Sequence, residues 1–145
     1  MEINFYQTDD IPHKAIAPLL QKMLEDKKKV LIYSENAELL KQIDSGLWSF
    51  SKTKFLPHAT RFDKINALKN PIFLTDNQEN ENAADFLIVF DKISDNFAQK
   101  FTKIFHFFDN NNLSKAREIW SYYKQKSANL NFYKKQENKW LKVNI

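Results

Sequence analysis

At 145 residues, with 43% hydrophobic and 14% aromatic side chains, the chain is long enough for one domain with a real core and too apolar for a disordered tail. It has no cysteine, which excludes disulfides, thiolate metal sites and cysteine nucleophiles and fits a reducing cytoplasm. The net charge of +4 is unevenly placed: nine Lys/Arg in residues 101–145 face only Asp109, Glu118 and Glu137, whereas the first hundred residues carry 13 basic and 15 acidic side chains. A basic C-terminal third on a near-neutral body points to an acidic partner, either nucleic acid or an acidic peptide, although a chain rich in Lys and Asn throughout would also produce it. The N-terminus lacks a basic region followed by a long apolar run, and no apolar stretch reaches the ~18 residues of a membrane span, so a soluble, cytoplasmic protein is expected.

Residues 3–7 (INFYQ) predict a first strand, closed by Thr8, Asp9 and Asp10. Ala15, Ile16, Leu19, Leu20, Met23 and Leu24 recur at helical spacing, which predicts an amphipathic helix over 12–26 with Pro12 near its start. Val30 to Tyr33 is a short apolar run suited to a buried strand. Ser34 or Asn36 can cap a second helix, with Ala37, Leu39, Leu40, Ile43 and Leu47 on its apolar face and an end near Gly46. This strand–helix alternation predicts an α/β fold with a mostly parallel sheet and right-handed crossovers.

Residues 48–58 read as irregular. Residues 70–75 and 85–90 (DFLIVF) predict strands, with the acidic run 76–84 between them as an exposed loop. Residues 94–103 predict a helix, 104–108 (IFHFF) a strand and 110–112 a turn. A long helix follows, opening LSKAREIWSYYKQKSANLN and leaving through a short extended exit. Residues 133–145 read as a basic tail laid back on the body through Trp140. No linker rich in Pro, Gly or Ser divides the chain, so 1–145 is expected to be a single domain.

The long helix carries the most informative pattern. Leu113, Ala116, Ile119, Trp120 and Tyr123 share an apolar arc at ~100° per residue. Arg117 and Lys124 flank Trp120 at i−3 and i+4, so guanidinium, indole and ammonium form one stripe. Such a stripe suits an acidic peptide that also carries an apolar or aromatic residue. An ordinary solvated helix face is the simpler account.

Other chemistry finds little support. Phosphate binding at a strand–helix turn needs glycines that let backbone N–H groups approach the oxygens. The chain has one glycine, Gly46, and its first two strand–helix turns are acidic (QTDDIPH and YSENAE). His13, His58 and His106 stand alone, with no metal-ligand spacing. Asp9 and Asp10 read as a solvated turn, and no serine sits in a nucleophile motif. The sequence implies no cofactor, no metal and no catalytic residue. Lys, Arg and aromatics do interleave in the last third, so direct binding of single-stranded nucleic acid stands as an alternative function. The aromatics of the two apolar strands read as core, not as an open stacking platform.

The order of segments resembles the chi subunit family of bacterial DNA polymerase III, over nearly the whole length. The resemblance is carried by INFYQTDD, KKVLIYSENAELLKQIDSGLWSF, KFLPHA, ADFLIVFDKISDNFAQKF and KAREIWSYYKQKSANLN. Its most specific pieces are Leu47, Trp48, Phe55, Pro57 and His58, then Ala116, Arg117, Glu118, Tyr123, Asn129, Leu130 and Asn131. The resemblance implies a Rossmann-like α/β fold without nucleotide chemistry, and a non-catalytic adaptor of the clamp-loader complex. One surface of such proteins holds the psi subunit, and a related surface can take a helicase. Another binds the acidic C-terminal tail of single-stranded DNA-binding protein (SSB), which ends in a phenylalanine carboxylate. On that basis the tail-binding cation and aromatic fall on Arg117 and Trp120, with Lys124 a further cation. Leu113 and Ser121 stand where the family has lysines, and Lys115, which points ~160° away from Arg117 on an ideal helix, or the basic tail would have to compensate. The psi-facing residues carried over are Trp48 and Phe55, with Pro57 and His58 shaping the loop. A degenerate enzyme pairing His58 with Asp9 or Asp63 is a further alternative.

Overall fold

A computed structural model describes residues 2–50, 56–63, 66–126, 128–136 and 139–143. Strand β1 (Glu2–Gln7) leads into helix α1 (Pro12–Glu25), where Pro12 occupies the first turn and sacrifices no intrahelical bond. Strand β2 (Val30–Tyr33) is buried along its whole length. Helix α2 (Ala37–Phe50) is started by the Asn36 side chain, whose Oδ1 accepts from the N–H groups of Glu38 and Leu39 at 3.0 and 3.2 Å. Then come β3 (His58–Thr60), β4 (Ile72–Thr75), β5 (Phe86–Val89), the single-turn helix α3 (Asp95–Ala98), β6 (Lys103–Phe108), α4 (Leu113–Gln125), β7 (Asn129–Gln136) and β8 (Lys139–Val143).

The eight strands form one sheet in the order β3-β4-β2-β5-β6-β1-β7-β8. Every pairing is parallel except β7 with β8. From β1 through β2 to β3 the chain steps toward one edge, and from β5 through β6 to β7 it steps toward the other. Right-handed crossovers then require the two sets of helices to lie on opposite faces. They do: Ile16 and Leu20 of α1 and Ile43 and Leu47 of α2 share a core with Ile32, Leu74 and Phe105. Phe97 of α3 and Ala116, Ile119 and Tyr123 of α4 share the second core with Phe5, Leu31 and Val89. The fold is α/β with helices on both faces of a mostly parallel sheet, and Phe5, Phe105, Phe107 and Phe108 are core side chains.

Several local expectations are corrected. Gly46 does not end α2, which continues to Phe50. A Cβ at position 46 would come within 2.2 Å of His13 Cγ, so the glycine serves the close approach of α1 and α2. The segment 48–58 contains the last turn of α2 and the start of β3. The acidic loop 76–84 is not wholly exposed: Asn82 is fully buried and its Nδ2 donates to the carbonyls of Val30 and Asn70. The helix expected over 94–103 is one turn, capped by Ser94 accepting from Phe97 N–H, because β6 already begins at Lys103. Within 133–145, the described residues are sheet: β8 folds back on β7, and Trp140 packs edge-on against Tyr6 at 4.9 Å and Phe107 at 6.2 Å.

Candidate functional site

Helix α4 is fixed at both ends. Ahead of its first turn, the Asp109 carboxylate accepts from Asn111 N–H and Asn112 Nδ2, both at 2.9 Å. Near its C-terminal end, Tyr122 Oη donates to the Asp95 carboxylate at 2.7 Å, and Lys126 Nζ lies 3.0 Å from the same group. The Tyr122 hydrogen bond, then Lys126, holds the Asp95 carboxyl below the usual carboxylate range. Lys92 Nζ caps the Tyr122 ring at 4.1 Å. Between these anchors, Ala116, Ile119 and Tyr123 are buried, and desolvation pushes the Tyr123 hydroxyl up to about 12.

The first two turns of α4, together with β1, β6 and the β7–β8 hairpin, form a pocket of about 300 Å³. Trp120 forms one wall, edge-on to Phe5 at 5.1 Å and to Phe132 at 6.2 Å. Phe108, Leu113, Ala116 and Val143 add apolar surface, and Gln7 adds an amide. Among the described residues, Arg117 is the one charged side chain in the lining. It is solvent-exposed and has no ion-pair partner among the described residues. A free guanidinium at the mouth of an apolar, aromatic-walled cavity is suited to a ligand with a carboxylate next to an apolar or aromatic group: the fork takes the carboxylate while the ring is desolvated against Trp120.

The cations named from the sequence separate here. Arg117 and Trp120 come together in the pocket, and Lys124 lies exposed one turn further along the same stripe, outside the lining. Lys115 turns to a different crevice, lined also by Asp10, Asp91 and Asp109, with its Nζ 3.9 Å from Asp91 Oδ1. Leu113 is an apolar wall of the pocket. Phe5, Phe108, Phe132 and Val143 were not anticipated as site residues. Phe108 reads as core in its apolar strand, and the other three join the site through sheet register, which leaves no local signal.

The second set of residues lies at the opposite edge of the sheet. Trp48 is 50% exposed on α2, so it is not a core side chain, and its ring lies 4.2 Å from that of His58. His58 itself is buried in β3, with Nδ1 2.7 Å from Leu56 O and Nε2 3.1 Å from Asp44 Oδ1. It supports Trp48 from beneath and presents no surface of its own. Pro57 is half-buried beside it, Phe62 is exposed just beyond β3, and Phe55 lies outside the described residues. The carboxylate near His58 is that of Asp44. Asp63 instead accepts from Thr60 N–H and Asp9 from Asn110, so the His58 pairings with Asp9 or Asp63 do not form. Among the described residues no three His, Asp or Glu converge as a metal site. No described helix is long and apolar enough to cross a membrane.

Comparison with known families matches residues 1–131 to the model described as DNA polymerase III chi subunit, HolC. The chain belongs to the DNA polymerase III chi subunit family. A curated relative, the probable DNA polymerase III subunit chi of Rickettsia prowazekii (strain Madrid E), is 29% identical over 85 residues, 59% of this chain and 51% of the relative. The chain thus matches about half the length of that relative. Among solved structures, the C-terminal part of the Fun30 ATPase domain superposes with a TM-score of 0.52 at 17% identity, covering 73% of this chain and 44% of that one. At that identity the likeness is one of fold alone. The chi family match ends at Asn131, so Phe132 and all of β8 lie beyond it.

Proposed function

We propose that this chi-family chain acts as a single-domain, non-catalytic accessory subunit of the DNA polymerase III clamp-loader complex in the cytoplasm. In that role it bridges the complex to the acidic C-terminal tail of SSB during DNA replication. The observation that carries this reading is the apolar pocket walled by Trp120, with Arg117, which has no ion-pair partner among the described residues, at its mouth. An SSB tail offers the complementary chemistry: a terminal phenylalanine ring for the cavity, its carboxylate for the guanidinium, and preceding acidic residues for a basic surface. The Trp48 edge of the sheet is the proposed seat of a psi-like subunit, with Pro57 and His58 supporting it and Phe55 contributing; a helicase would compete for the same edge.

The test is a titration of the purified chain with a labelled peptide copying the last ten or so residues of the SSB from the same organism, beside a control lacking the terminal Phe. The expected result is micromolar binding that the control loses at least tenfold, the scale set by burying an aromatic ring and pairing its carboxylate. Equal affinity for both peptides would remove the pocket from the account. Steep, salt-sensitive binding of bare oligonucleotides with no peptide binding would favour a direct nucleic-acid reader instead.

A further inference from the structure

The β7–β8 hairpin carries a second part of the docking surface. Directly paired residues of an antiparallel ladder share a face, and alternate residues along a strand share it too. The register pairs Phe132 with Val143, Lys134 with Leu141 and Gln136 with Lys139. Phe132 meets Trp120 of α4, so Val143, Lys134, Leu141 and Lys139 all belong to the α4 side of the sheet. On the other side Trp140 packs against Tyr6 and Phe107 and holds the hairpin down. The α4 side of β8 is open: Leu141 is 47% and Val143 37% exposed. Lys134 and Lys139 are exposed and without an ion pair among the described residues, whereas Lys135 on the opposite face is paired with Asp10.

Val143 lines the Arg117 pocket, so this strip begins where the pocket ends. We propose that the α4-side face of the hairpin binds the acidic stretch of a peptide whose terminal residue occupies the pocket, Lys134 and Lys139 taking carboxylates and Leu141 and Val143 forming the apolar floor. The proposal rests on the function proposed above and deepens it. Charge complementarity selects the occupant, since two unpaired ammonium groups flank the floor. Lys134 and Lys139 both lie beyond the family match, which ends at Asn131.

The experiment compares native chain, Arg117→Ala and the double variant Lys134→Glu/Lys139→Glu. Each is titrated with an acidic decapeptide ending in Phe and with the same peptide carrying Ser in place of its acidic residues. The double variant is expected to lose about tenfold in affinity for the acidic peptide, with a shallower salt dependence, and to bind the neutral peptide as the native chain does. Lys134→Gln/Lys139→Gln repeats the test without charge reversal and is expected to give a smaller loss of the same sign. Undiminished acidic-peptide binding by both double variants, with Arg117→Ala impaired, would overturn the hairpin assignment and leave the pocket standing. The same proteins are titrated with a single-stranded oligonucleotide, and double variants that lose that binding alone would assign the strip to nucleic acid and overturn the assignment as well. Failure of the native chain to bind either peptide would remove the pocket reading and the strip together.

Discussion

The burial of His106 makes it sensitive to pH. It lies in β6, 2% accessible, with its ring stacked on Phe5 at 5.1 Å and neither nitrogen partnered among the described residues. Burial drives its pKa down from the ordinary 6.5 to about 4. The folded chain therefore keeps the ring neutral while the unfolded chain takes up a proton. This contribution to stability is intact above pH 6.5, falls as the pH drops toward about 4, and is flat below that. Denaturant titrations should show roughly 2–3 kcal/mol lost through this residue between about pH 7 and about pH 4.5. His106→Phe, which keeps the stack on Phe5, should shrink that pH-dependent loss; an unchanged loss would place the acid sensitivity elsewhere.

At the scale of elements, α2 offers a sign reversal that tests why the chain spends its only glycine where it does. In an isolated helix Gly46→Ala would stabilise by about 1 kcal/mol. Here the new Cβ would meet His13 Cγ at 2.2 Å and Cβ at 2.7 Å, near the base of that side chain, so α1 itself has to shift. The substitution should cost about 1–3 kcal/mol, the range for overpacking a close contact. In a His13→Gly background, which removes the Cβ as well as the ring, the same change should become neutral or stabilising, and thermal unfolding of the four proteins would read the difference. A cost that persists without the His13 side chain would mean that the close approach is not what demands glycine.

The same scale explains which elements were legible. Strands β2, β4, β5 and β6 sit in the sheet interior as apolar runs, and that signal is local. Strand β3 is three residues, His58–Thr60, with no apolar run, and its burial comes from α2 above it and β4 beside it. Gly46 looked like a helix end because glycine ordinarily is one, and only the position of His13 shows otherwise. The hairpin was hidden because NLNFYKKQ and KWLKV acquire meaning through pairing with β1 and with each other. Lys139 and Lys142 on β8 also guard a sheet edge against unwanted strand pairing.

For the whole molecule, the sheet sets the distance between the two proposed contacts. From β3, beside Trp48, to β7, which walls the Arg117 pocket, there are six inter-strand steps, or roughly 29 Å at ~4.8 Å each. Contacts that far apart on one sheet would let the two proposed partners bind at once without competing. Substitutions at the two ends should therefore act independently. The pocket was half legible: the Arg117–Trp120 stripe is a helix pattern, visible in one segment. The walls from β1, β6, β7 and β8 are assembled from four distant stretches of chain, and the segregation of Lys115 to another crevice depends on where α4 settles.

The most direct measurement is calorimetric titration of an SSB-tail peptide into the native chain, Arg117→Ala and Trp48→Ala. Arg117→Ala should weaken binding by about 1.5–3 kcal/mol, the range for a charge-assisted contact, with an unchanged thermal midpoint. Trp48→Ala should bind the peptide as the native chain does. Native affinity in a folded Arg117→Ala protein, or a loss at Trp48 in its place, would contradict the assignment of the pocket as the tail-binding site.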